Sequence, residues 1–180
     1  MKQTDLQPVK RHLRRRRRTK GAELIEFTLN FLPFVAMIIV VVDTAWAVFA
    51  EATLQQAVRM AARTGASLTA TQVTGNLTDT VKGLVQAHAV GLLNGSSRDY
   101  IKVNYFDGDN PSVDVSTQSW GNDTGNIMRV SVQNYPISPL MARIFMKQNP
   151  DKSPMSISVY AADVIWPVSS SNRAPIGPAP

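Results

Sequence analysis

The sequence predicts an α+β fold: a long N-terminal helix, transmembrane then amphipathic, followed by a small domain of one helix and an antiparallel sheet. Three observations predict it. A basic segment, Met1 to Gly21, holds nine of the nineteen Lys and Arg. An apolar stretch, Phe27 to Ala50, follows with Asp43 as its only ionisable group. The remainder carries one further helical pattern and then runs of alternating apolar and polar residues.

The basic segment contains Lys10, Arg11, the unbroken run Arg14 to Arg18, and Lys20, with too few apolar side chains to build a core. The formal net charge of +6 divides as +8 up to Gly21 and −2 beyond it. A pI near 9.9 is therefore a local property, and the body of the chain has no basic stripe for nucleic acid. With no cysteine there is no disulfide framework, thiolate metal site or cysteine nucleophile.

As a helix, Phe27 to Ala50 spans roughly 36 Å, enough to cross a hydrocarbon core of about 30 Å. Its apolar residues surround the helix instead of forming one stripe, which predicts a membrane span. The excess of Lys and Arg before the span places the N-terminus in the cytoplasm and everything after Ala50 across the membrane. The helical pattern does not stop there. Leu54, Ala57, Val58, Ala61, Ala62 and Gly65 share one face, so a stem helix is expected from about Ala22 to Ser67, with the Leu54 face covered by the chain's own sheet or by a partner helix.

Three residues in this helix call for a reason. Glu26 lies in its first turn, where it favours the positive helix end and reaches headgroup water. Asp43 lies deeper, either facing the outer interface or paired within a bundle, since an acid at the bilayer centre costs roughly 2.5 to 3.5 kcal/mol. Pro33 removes one backbone donor and predicts a kink or local opening.

After a hinge rich in Thr, Gln and Gly, a second helix fits Leu77, Val81, Leu84, Val85, His88 and Leu92 on one face, with Asn76 or Thr78 as N-cap. Strands are expected at Ile101 to Tyr105, Val113 to Val115, Met128 to Val132 and Ile157 to Ala161, and a short helix over Ser138 to Met146. Pro167 to Pro180 reads as a disordered Pro/Ser-rich tail. The organisation is thus a leader (1–21), a stem helix (22–68), an α+β domain (69–166) and a tail (167–180).

Catalytic patterns are missing. His88 falls on the apolar helix face and reads as a core histidine, while His12 lies in the leader. No nucleophile-elbow motif accompanies them. Asp107 to Pro111 offers oxygen ligands but lacks EF-hand spacing, and reads as a turn. No metal or cofactor is expected.

Lys20-Gly21-Ala22-Glu23-Leu24-Ile25-Glu26-Phe27 resembles a type IV prepilin processing site: a basic leader ending in glycine, then a helix with glutamate fifth and an aromatic sixth. Asp43, Ala45-Trp46-Ala47-Val48-Phe49, Leu54-Gln55-Gln56-Ala57 and Ala61-Ala62-Arg63-Thr64-Gly65-Ala66 are similar to the signatures of TadE-like minor pseudopilins of the Flp, or tight-adherence, pilus. The motifs cover about residues 20 to 66, with weaker similarity around Tyr135 to Leu140; Thr44-Ala45-Trp46 departs from a common Gly-Arg, and the leader is long and arginine-rich. The resemblance implies a non-enzymatic bacterial inner-membrane precursor with a periplasmic domain, cut between Gly21 and Ala22 by a prepilin peptidase. Its partners would be that peptidase and other pilins, pseudopilins and assembly proteins, and its purpose pilus assembly or initiation for surface adhesion. Glu26 would pair with the new α-amine. An uncleaved single-pass protein whose outer domain binds an envelope partner is the alternative.

Overall fold

The computed structural model describes residues 9–137, 155–166 and 172–177, with side chains from residue 21 onward. The elements in chain order are α1 (Val9–Ala66), a 3-10 turn (Ala70–Gln72), α2 (Leu77–His88), a second 3-10 segment (Gly95–Tyr100), and strands β1 (Ile101–Phe106), β2 (Ile127–Ile137) and β3 (Met155–Val164). The chain forms two compact units, Met1–Thr44 and Ala45–Pro180.

The second unit holds the core. Its sheet has the order β1-β2-β3, antiparallel throughout. Ile101, Val103 and Tyr105 of β1, Met128, Val130 and Val132 of β2, and Val159 of β3 are buried with Leu77, Val81 and Val85 of α2 and with Leu54, Ala57, Val58, Ala61 and Ala62 of α1. One face of the sheet is therefore covered by helices and the other carries the alternate residues, as a two-layer α+β arrangement requires.

Local chemistry explains each boundary. Asn76 caps α2 by accepting from the Asp79 amide at 2.7 Å. The helix ends at His88, after which Val90 takes a positive φ of 49° and Gly91 one of 82°. Glycine adopts that conformation freely, whereas a β-branched residue is strained in it. Burial pushes the Tyr105 hydroxyl up to about 12, against the opposing effect of its hydrogen bond with Thr78.

Four expectations need correcting. His88 is exposed, with Nδ1 2.8 Å from the Leu84 carbonyl oxygen, because α2 stops there and its last turn opens to solvent. Val113 to Val115 forms no strand: a single bridge joins Phe106 to Asp114, and Asn104 and the Ser116 amide hold the Asp114 carboxylate instead. The second unit starts at Ala45, so the last turns of the stem helix belong to the domain core.

The fourth concerns the tail. Residues 172–177 pack across the start of α2, with Ala174 and Ile176 buried. The Leu77 amide donates to Pro175 O at 2.8 Å and the Thr78 amide to Ile176 O at 3.1 Å, so this segment satisfies helix donors that have no intrahelical partner. Asn122 Nδ2 donates to Ala174 O, and Arg173 pairs with Asp123. Proline-rich composition hid the two apolar side chains that anchor the segment. The helix expected over Ser138 to Met146 lies outside the described residues, as does the rest of 167–180.

Candidate functional site

Among the described residues no group of three or more His, Asp or Glu could hold a metal ion. The chemistry of interest is in α1. From Gly21 to Ala66 this helix is long and apolar enough to cross a membrane.

In the first unit the apolar side chains are uncovered on every side. Leu24, Ile25, Phe27, Leu29, Leu32, Phe34, Met37 and Val41 are all more than half exposed. In a solvent-borne helix this would leave a very large apolar surface in water, at about 25 cal/mol per Å². The polar groups are disposed to limit their own cost. Thr28 Oγ1 donates to Leu24 O and Thr44 Oγ1 to Val40 O, each at 2.8 Å, one helical turn back. Phe27 and Phe31 stack with ring centroids 5.5 Å apart.

Gly21, Ala22 and Glu26 are exposed at the start of this stretch, and a Cβ built on Gly21 meets no atom within 4 Å. Glu26 stands one turn after Ala22, at helical spacing. Pro33 lies inside the helix. Asp43 is partly buried.

In the second unit the same helix behaves differently. Leu54, Ala57, Val58 and Ala61 have no exposed surface and belong to the domain core, whereas Gln56, Arg59, Met60 and Arg63 point outward. The Leu54 face is thus occupied by this chain's own α2 and sheet. Gly65 explains how closely they pack: a Cβ there would stand 2.6 Å from Val81 Cγ2 and 2.8 Å from Met128 Cε. Trp46 and Phe49, about half exposed, meet at 5.7 Å on the outer surface. Sequence reasoning placed Gly65 on the apolar face but missed this close approach, for which a glycine at the end of a small-residue stripe was the available signal.

One family model, that of TadE-like protein, matches residues 21–63. The stem is similar to TadE-like protein over this segment. The matched segment includes both the uncovered stretch and the packed turns up to Arg63. No curated protein and no solved structure matches the chain.

Proposed function

We propose that the protein is a non-enzymatic minor pseudopilin of a Flp-type pilus, acting in assembly or initiation and processed between Gly21 and Ala22. One observation carries the reading: the domain already covers the Leu54 face, so the part of the TadE-like helix left wanting a partner is the uncovered apolar stretch around Glu26. Such a stretch is satisfied by lipid or by other helices within it. In this reading it spans the inner membrane, with the leader cytoplasmic and the domain periplasmic. Cleavage would create an α-amine beside Glu26, and a buried carboxylate that finds a partner costs far less than one left alone. Glu26 would then steer docking onto neighbouring pilins, Pro33 would let the helix bend during it, and Asp43 would sit at the outer boundary.

Two measurements test this. Electrophoretic mobility in cells with and without the prepilin peptidase should differ by the mass of the leader; equal mobility overturns processing. Glu26→Gln should be cut normally yet support little pilus formation in a deletion strain; full restoration of pili overturns the charge-pairing role.

A second reading is favoured by one observation: α1 runs unbroken from Val9 through Gly21, and a peptide bond inside a helix must unwind before a protease can take it. An uncleaved single-pass protein binding an envelope partner would keep that turn intact. Glycine in a helix interior costs about 1 kcal/mol relative to alanine, which eases opening at this position. An N-terminus at Ala22 on the membrane-extracted protein selects the first reading, and an intact leader selects the second.

A further inference from the structure

The face of the sheet turned away from the helices carries a groove of about 320 Å³ that the pilus reading does not use. Its lining, among the described residues, sets the polar groups of Arg129, Ser131, Gln133, Asn134, Ser158 and Tyr160 among apolar surface that includes Val159. No carboxylate is among them. Strand register sets Lys102, Ser131 and Tyr160 in one row across β1, β2 and β3, so a second cation stands on the same face beside Arg129.

The amides reach this face through a break in the ladder. Register shifts between Val132 and Tyr135, and Asn134 takes a φ of 55°. Extra residues in a bulge re-aim side chains, and bulges recur beside binding sites. Here Gln133 and Asn134 are both exposed, although neighbours in a regular strand point to opposite faces. Gln133 Nε2 donates to Ser131 Oγ at 3.1 Å, and the Asn134 amide to Ser158 Oγ at 3.0 Å, which fixes the two hydroxyls and leaves the Asn134 side-chain amide available. Tyr160 is 70% exposed, its ring flanking the groove. Arg129 lies over the Phe106 ring at 4.3 Å and also acts on Asp114, toward the β1 side.

We propose that this groove binds an acidic saccharide, with a carboxylate on Arg129, ring hydroxyls on Ser158, Gln133 and Asn134, one sugar face against Tyr160, and Ser131 buried beneath as the acceptor that holds Gln133. The chemistry selects that class. Hydroxyls and amides offer both donors and acceptors, which vicinal sugar hydroxyls need. An apolar ligand would strip water from them without replacing its hydrogen bonds. Arg presents a planar fork that matches a carboxylate, and an exposed aromatic ring supplies apolar area with little entropy to lose. A bare anion would use the guanidinium and leave Ser158, Gln133, Asn134 and Tyr160 without a role.

The test is isothermal titration of the full chain in detergent micelles with trigalacturonate, its neutral counterpart galactotriose, and inorganic phosphate. Saturable binding of trigalacturonate is expected, about tenfold tighter than galactotriose, with phosphate failing to compete. Arg129→Gln should weaken it by about tenfold or more and remove the preference for the acidic sugar, and Tyr160→Ala should weaken both sugars by about tenfold. Tyr160 is exposed enough for its variant to fold, so it decides the matter should Arg129→Gln prove unstable. Absence of saturable sugar binding, phosphate binding as tight as trigalacturonate, or affinity unchanged in Tyr160→Ala would each overturn the proposal. None of these outcomes depends on whether the leader is cut.

Discussion

Two stretches of one helix meet opposite surroundings. Between Leu24 and Val42 the apolar side chains lie uncovered around the helix, while between Leu54 and Ala66 they form one stripe buried by α2 and the sheet. Both are helix-forming, so the difference lies in the pattern of apolar residues around the axis. A single stripe gives water the other faces, where Gln56, Arg59 and Arg63 stand, and leaves one face for a core. An apolar surface on all sides asks for a solvent that is itself apolar. The contrast teaches that residue distribution assigns the environment, even where the backbone is the same.

Truncation should break the symmetry most. Leu54→Ala should lower the unfolding free energy of the domain by about 2 to 5 kcal/mol, and Leu32→Ala by under about 0.5 kcal/mol. Denaturant melts of the full chain in detergent, followed by the fluorescence of the domain, check this; equal losses would mean the two stretches share one core.

Charge insertion reads the contrast from the other side. Val40→Arg should impede membrane insertion, by about 2.5 to 3.5 kcal/mol on translocon scales, while Gln56→Arg should insert normally. Fractionation of membranes after alkaline wash is the measurement, and normal retention of Val40→Arg would break the membrane assignment.

The packed half makes a pH prediction that the uncovered half cannot. Tyr105 is an acid whose folded value, about 12, stands above its unfolded value near 10, so the folded domain holds the proton more tightly. Its contribution is fully present below about pH 10 and is lost as pH rises toward 12, to a total of about 2 to 3 kcal/mol. Tyr105→Phe should remove this loss, seen as a flatter stability profile above pH 10 than that of the wild type.

The smallest effect should be a gain. Val90 is 74% exposed and holds a positive φ just after α2, so Val90→Gly relieves strain without emptying any core. A net stabilisation of about 1 kcal/mol is expected, read as a rise in Tm; an unchanged Tm would show that the turn already relaxes in solution.

Much of this was legible in the sequence because it rests on periodicity. The long apolar helix, the Leu54 stripe, α2 and three strands each announce themselves by spacing, and the alternation over Ile101 to Tyr105 matches β1 to within one residue. What escaped depends on partners distant along the chain. The Val113 to Val115 segment alternates properly, but the Asn104 and Ser116 contacts turn it into a loop beside the β1 edge. His88 has helical spacing, yet the helix ends beneath it. Ala174 and Ile176 are two apolar residues in a proline-rich context, and only the open amides of Leu77 and Thr78 give them a place. The groove on the outer sheet face was invisible for the same reason, since a bulge at Gln133 and Asn134 leaves no mark on composition.

The strap formed by residues 172–177 also governs timing. Ala174 and Ile176 complete the core around α2, and the first amides of α2 find acceptors in Pro175 and Ile176. The stem, α2 and the sheet therefore precede, in the order of synthesis, the piece that closes them. A nascent chain arrested short of residue 172 should be cut readily by added protease between α1 and α2, at Thr69 to Gly75, and become resistant once residues 172–177 emerge.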